Sequence, residues 1–171
     1  MRVRWLARLL RGPLRRLARR REPNFRITRD GGSRVYLRRW WLISRNSYFN
    51  VYLHEMLLDD DVVLHDHPYW SVSLVLTNGL MENYKLNPET PELSKRRWLR
   101  EGQVVLRSST FAHQLIVAKP AWTLFVTGPR IREWGFWCPR GWIPWRQYVG
   151  EGQDSGKPGG VSGIGRGCGE Q

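Results

Sequence analysis

The sequence predicts an all-β domain, an antiparallel barrel, and three observations carry that prediction. From residue 25 onward, short apolar, aromatic and β-branched runs alternate with turn residues at close spacing, the pattern of a sandwich or barrel. Asn78-Gly79 stands between two such runs, Tyr69 to Thr77 and Leu80 to Leu86, and Asn-Gly is a strong hairpin signal. No helical periodicity interrupts the strands after residue 21. At 171 residues the chain has the length of one domain, and ten Trp, six Tyr and five Phe supply large buried area for a small core.

The chain divides into three parts: a basic amphipathic arm over residues 1–22, a β domain over 23–149 and a tail over 150–171. The first 21 residues hold nine arginines and no acid, leaving 19 basic against 15 acidic residues elsewhere, a net of +4 out of the total +13. Most of the excess charge therefore belongs to the arm. Trp5, Leu6, Leu9, Leu10, Leu14 and Leu17 fall near helical spacing, and Pro13 is expected to break or kink that helix. The arm reads as a polyanion contact, to nucleic acid through phosphates or to an anionic membrane surface. An organellar presequence and a plain solvated extension are the competing readings.

In the β domain, Phe25 to Thr28 and Arg34 to Leu37 flank the turn Asp30-Gly31-Gly32, and Trp40 to Ile43 continue the second strand. Tyr48 to Leu58 is a strand with Tyr52, His54 and Met56 on one face. Asp59-Asp60-Asp61 reads as a solvated turn, because three adjacent carboxylates lack the alternating spacing of a calcium loop. Val62 to His67 and Trp70 to Thr77 follow, with a bend at Pro68. Leu80 to Leu86 returns as a hairpin strand. Arg97 to Leu99 and Gln103 to Arg107 are strands about a Glu101-Gly102 turn. His113 to Ala118 and Trp122 to Thr127 form a further hairpin about Lys119-Pro120.

Residues 130–148 interleave Arg with Trp. They read as a seal over one open end of the barrel, with base stacking in single-stranded nucleic acid as the alternative. Nine of the last 22 residues are glycine, the composition of a disordered tail. Two cysteines, Cys138 and Cys168, are too few for a disulfide framework, so a reducing cytoplasm is the simplest compartment. No apolar run approaches the length of a membrane span.

The chemistry concentrates at Leu64-His65-Asp66-His67-Pro68 and at His113. On a strand, residues two apart share a face, so His65 and His67 present two imidazoles together, with Asp66 opposite. A divalent transition metal makes use of such lone pairs. The four histidines of the chain leave His54 and His113 as candidates for a third ligand.

These residues resemble the two motifs of the cupin superfamily over about residues 48 to 127. His65, His67 and Gly79 fit the first motif, with Val72 where Glu is usual and Ser71 under the shorter spacing. Gly102 and His113 fit the second at full spacing, where Ser108, Thr110 and Val117 replace Pro, Gly and Asn. The chain is also similar to uncharacterised small cupin-like proteins of phage and bacterial genomes. The resemblance implies a cupin-like antiparallel barrel, or double-stranded β-helix, with His65, His67 and His113 as metal ligands.

The implied cofactor is a divalent transition metal, Fe(II) favoured, with Zn, Mn or Ni as alternatives. An all-histidine site with open positions resembles that of thiol dioxygenases. It implies a non-haem iron oxygenase acting on a small molecule or a side chain. The alternative is a non-catalytic binding module or structural accessory. His54 is a spare ligand or an acid/base group. Tyr52, Tyr69, Ser71, Ser73 and Glu82 are the candidate substrate-pocket residues, Glu82 as a spare carboxylate. The oligomeric state is not legible in the sequence.

Overall fold

A computed structural model describes residues 1–29, 33–90, 94–149 and 167–169. The β domain is two six-stranded antiparallel sheets. The first runs β1 (Phe25–Arg29), β2 (Arg34–Trp41), β3 (Asn50–Met56), β10 (Ala121–Thr127), β5 (Ser71–Val75), β8 (Val104–Arg107). The second runs β12 (Gly141–Pro144), β11 (Gly135–Cys138), β4 (Leu64–His65), β9 (Ala112–Val117), β6 (Leu80–Lys85), β7 (Lys95–Leu99). From β3 to β11 the chain changes sheet at every connection except the β6–β7 hairpin. This is the strand order of a double-sheet jelly roll, the architecture of cupins.

That topology corrects two expected hairpins. Asn78-Gly79 joins β5 in one sheet to β6 in the other, so the two strands do not pair. Its signature is instead that of a corner. Gly79 has φ +126°, and a Cβ there would stand 2.8 Å from the Lys119 carbonyl oxygen. Asn78 accepts a hydrogen bond from the Glu101 amide across the corner. Lys119-Pro120 likewise carries the chain from β9 to β10 across the sheets. Strand pattern places runs and turns well, but whether a turn closes a hairpin or crosses a sandwich depends on where the partners lie.

The inner faces of the two sheets form one core cluster around Leu37, Met56, Val75, Leu80, Leu99, Val105, Leu115 and Ala121. The outer face of the first sheet is equally apolar, with Trp40, Leu53, Leu74 and Trp122 buried there. What covers it is α1 (Arg4–Arg20). Leu6, Ala7, Leu10, Leu14 and Ala18 form its packed stripe, and Ala7 is fully buried. The arm is thus docked on the sheet. It also runs through Pro13 without a break, against the expected interruption; packing on a sheet offsets the missing backbone donor.

The docking is anchored at the β7–β8 corner. The Val3 amide donates to the Gly102 carbonyl at 2.6 Å, and the Val104 amide to the Met1 carbonyl at 3.1 Å. Gly102 has φ +80°, and a Cβ there would lie 2.6 Å from the Arg4 Cα. Only glycine meets both constraints.

The acidic turn is not the solvated loop expected. Asp60 is buried; it accepts from the Leu115 amide at 2.6 Å and from the Tyr36 hydroxyl. Asp59 accepts from the Val117 amide at 2.6 Å. The carboxylates satisfy backbone donors of β9 that no neighbouring strand reaches. Residues 130–149 add the β11–β12 hairpin to the second sheet beside β4, then a short helix α2 (Trp145–Val149) that strand periodicity did not predict. Trp134 stacks on Trp145, Phe136 on Tyr148, and Arg132 lies over Trp142.

Cys138 and Cys168 form a single disulfide, which counts against the reducing compartment expected from so few cysteines. The Asp30-Gly31-Gly32 turn and most of the predicted disordered tail lie outside the described residues. No helix among the described residues is long and apolar enough to cross a membrane.

Candidate metal centre

Between the sheets lies a cavity of about 1740 Å³. The side chains that reach it follow from strand alternation: β3 contributes Tyr52 and His54, β4 contributes His65, β9 contributes His113, and the β4–β5 connection contributes His67 and Tyr69. His65 pairs with His113 across the β4–β9 ladder. Together His65, His67 and His113 offer ligand nitrogens that all lie within 4.8 Å of one another. The ring centroids stand 5.1 Å (His65–His67), 4.8 Å (His65–His113) and 5.2 Å (His67–His113) apart.

The donor set fits a divalent cation. The His67 and His113 Nε2 atoms are 2.9 Å apart, and two nitrogens at right angles around one ion, each about 2.1 Å from it, stand about 3 Å apart. Their protonation suits the role too. Burial, then the charges of His65, His113, Arg107 and Arg39, hold His67 well below the usual imidazole range. Burial likewise pushes His113 down to about 4, against the Glu82 hydrogen bond that opposes the fall. Both rings are neutral at neutral pH and offer lone pairs. The same two atoms can share one hydrogen bond, with His67 as donor, when no cation is present.

Behind His113 stands a buried charge network. Its Nδ1 lies 2.9 Å from Glu82 Oε1. Glu82 is fully buried and also receives Arg107 Nε at 2.7 Å and Arg97 Nε at 2.6 Å. Burial alone would push the Glu82 carboxyl up. The His113 hydrogen bond and the charges of Arg107, His113 and Arg97 outweigh it and bring Glu82 down to about 2. An ionised Glu82 accepts a hydrogen bond from Nδ1–H of neutral His113, which leaves Nε2 as the lone-pair nitrogen facing His67. Arg107 also donates to Ser73 Oγ at 2.9 Å.

The other candidate residues are placed differently. His54 lies on the opposite sheet, outside the cluster, where its Nε2 accepts from Arg39 Nε at 2.8 Å. Burial and then the Arg39 charge hold it well below its usual value. Tyr52 and Tyr69 line the cavity, and the Tyr69 ring stacks on His67 at 5.9 Å. Burial pushes the Tyr69 phenol up.

Ser71 and Ser73 are buried on the inward face of β5, where the Ser71 hydroxyl has no hydrogen-bond partner among the described residues. Val72 alternates to the face that carries Leu74, so the position where a cupin has Glu points away from the cavity. Asp66 is fully buried and clamps the β11–β12 hairpin. It accepts from the Gly135 amide at 2.9 Å and Trp142 Nε1 at 3.0 Å, and pairs with Arg132 at 2.9 Å.

Sequence reasoning missed Arg39, Arg107 and Asp60. Alternation along β2 puts Arg39 on the same face as Leu37, and an arginine on the inward face of a barrel strand was the available signal. Asp60 lies with its Oδ2 3.9 Å from His65 Nδ1; nothing in an Asp-Asp-Asp run distinguishes the one that turns inward.

No family model matches the chain, and no curated protein matches it. Solved structures do. Fe(II) HppE in complex with substrate has a TM-score of 0.49 at 17% identity, covering 63% of this chain and 57% of that one. The DMSP lyase DddQ from Ruegeria pomeroyi has 0.44 at 16%, covering 57% and 49%. A cupin superfamily protein from Desulfitobacterium hafniense has 0.43 at 10%, covering 54% and 77%. This chain spans about half the length of the lyase and of HppE. At these identities the likeness bears on neither activity nor ligand. Of these three, the Desulfitobacterium hafniense protein is described as a member of the cupin superfamily.

Proposed function

We propose that the protein is a metal-binding cupin in which His65, His67 and His113 hold one divalent first-row ion, Fe(II) before Zn, Mn or Ni, and that it acts as a non-haem oxygenase on a small molecule or an inserted side chain. The observation that carries the reading is the 2.9 Å approach of two neutral imidazole Nε2 atoms, one with its tautomer set by Glu82. A bound ion would supply Lewis acidity and, if iron, oxygen chemistry. The chain's own residues do the rest. Glu82 keeps His113 oriented and neutral. Arg107 and Arg97 hold Glu82 ionised and occupy both of its oxygens, which keeps it out of the ligand set. Phe125, Tyr69 and Phe136 pack against the His67 and His65 rings and line the cavity beside them.

The test is metal analysis of the purified chain, with about one ion per chain expected. His67→Ala and His113→Ala should lose it, while Asp66→Asn, on the hairpin side, should keep it as long as the fold persists. Absence of bound metal after loading with Fe(II), Zn, Mn and Ni in turn would overturn the reading. Oxygen uptake by the iron-loaded chain with small thiols then separates an oxygenase from the second reading, a non-catalytic binding module. That second reading is favoured by the outward turn of Val72 and by Glu82 being engaged by two arginines.

Three further readings belong here. The division at residues 22 and 149 is proposed as a functional one, since α1 packs on the sheet as part of the same structure. For the arm we propose a polyanion partner, with Trp5 and Leu9 left exposed among its arginines favouring an anionic membrane surface over nucleic acid. Cytoplasmic residence stands as a proposal against which the Cys138–Cys168 bond counts.

A further inference from the structure

Arg39 carries a charge that the mechanism above does not use. It sits on the inward face of β2 and lines the cavity. Its guanidinium lies 4.9 Å from the centroid of Tyr52 and 5.7 Å from that of Phe25, and its Nε donates to His54. These contacts fix the plane of the group and occupy one of its three nitrogens. Among the described residues no carboxylate lies within salt-bridge distance of it, and its two terminal nitrogens meet no acceptor. Arg107, the other inward arginine of this sheet, is by contrast committed to Glu82 and Ser73.

The surroundings of Arg39 are also donors. His54 accepts through Nε2, so its remaining ring proton is on Nδ1. The hydroxyls of Tyr52 and Tyr69 line the same cavity and have no hydrogen-bond partner among the described residues. A half-buried cation with neutral donors around it and no anion is an incomplete set. The route from it to the histidines is short: the Phe125 ring lies 5.0 Å from His54 and 6.3 Å from both His67 and Tyr69.

We propose that Arg39, with the hydroxyls of Tyr52 and Tyr69, is an anion subsite that binds the carboxylate of a small organic acid, whose midsection crosses Phe125 toward the three histidines. Arg39 takes the carboxylate through its two terminal nitrogens, the bidentate geometry that a guanidinium favours. An aromatic floor suits an apolar or ring-bearing midsection. The subsite adds a substrate class to the metal-site reading and rests on that reading only for what the far end of the ligand meets.

The experiment uses the full chain stripped of metal with a chelator, so its outcome does not depend on the metal-site reading. Benzoate is the probe and benzamide its neutral counterpart. Each is titrated while the Arg39 Nε–H resonance is followed by NMR in the unsubstituted chain, and affinities of all chains, variants included, are read by titration calorimetry. Benzoate should move that resonance saturably, benzamide at least tenfold more weakly, and Arg39→Met should reduce benzoate affinity at least tenfold while the loaded chain keeps its metal stoichiometry. Tyr69→Phe and Arg39→Lys should each weaken benzoate several-fold relative to the unsubstituted chain; these two decide the matter if Arg39→Met fails to fold. Equal binding of benzoate and benzamide, no response to benzoate, or undiminished affinity in the Arg39 variants would overturn the proposal.

Discussion

Replacing Glu82 by Gln separates what that carboxylate does for the fold from what it does for His113. The residue is fully buried, and its most deeply buried cationic partner, Arg107, is 3% exposed. A neutral amide in its place would leave a buried guanidinium without its counter-charge. Breaking one side of a buried pair costs about 3–5 kcal/mol. With a urea slope of about 2 kcal/mol per molar, the unfolding midpoint should fall by about 1.5–2.5 M. Arg97 softens the loss little, since its side chain is 33% exposed and returns to water. Adding Arg107→Met removes the orphaned charge, so the double variant should recover most of the stability.

Metal affinity should not recover with it. His113 loses its anionic partner in both variants, and such a partner is typically worth 10–100-fold in metal affinity. Competition with a chromophoric chelator, using cobalt as the probe ion, reads that quantity directly. A double variant as unstable as the single one would refute the assigned role of the charge pair. Unchanged cobalt affinity in Glu82→Gln would refute the role assigned to Glu82 at His113.

Three other outcomes are expected. In the metal-free chain, His113 titrates at about 4 against a usual 6.5, so the unfolded state takes up its proton first as the pH falls. Stability should therefore drop by on the order of 3 kcal/mol between pH 6.5 and 4, and Glu82, with its value near 2, adds a further loss as pH falls from about 4.5 through 2; urea midpoints that stay constant from pH 7 to 5 would contradict this. Gly102→Ala forces a Cβ toward the Arg4 Cα at a positive φ and should cost about 2–4 kcal/mol, seen as a lower melting temperature and proteolysis first at α1. Deletion of residues 1–21 should abolish binding to anionic vesicles and to heparin, but should also expose Trp40, Leu53, Leu74 and Trp122; the cleaner variant is Trp5→Ser with Leu9→Ser on the exposed face, which should release vesicles and spare heparin if the partner is lipid.

Much of the strand content was legible in the sequence because each inward face repeats with period two. Tyr52, His54 and Met56 could be assigned one side of β3 from the sequence, and they occupy it. Sheet membership was not legible. Asn78-Gly79 supplies the φ that a hairpin wants, and a crossover corner wants the same freedom, so local chemistry does not tell them apart. Only the partners decide, and those are set by contacts distant in sequence: β5 lies against β10 and β8, β6 against β9 and β7. The arm shows the same limit. Its charge could be counted, but the apolar sheet face that claims Ala7 and Leu10 is assembled from β2, β3, β5 and β10 together, and no single strand announces it.

The three histidines could be read from their spacing, whereas the carboxylate could not, and the reason is physical. At the motif's Glu position strand alternation turns Val72 outward, while Ser71 and Ser73 face inward without a charge. An acid instead enters from β6, one strand beyond the ligand strand β9, where the ladder sets Glu82 opposite Leu115 and Tyr84 opposite His113. From there it reaches Nδ1 of His113. A carboxylate in that position would act on a bound metal through the imidazole: it sets the tautomer and raises ligand basicity while its own charge is absorbed by Arg107 and Arg97. An ion held there would therefore keep more of its positive charge than at a site with a direct carboxylate, and it would face a cavity whose far wall carries Arg39. Both ends of that cavity are matched to electron-rich groups, so the ligand best suited to it is one that is anionic at both ends or anionic at one and a soft donor at the other.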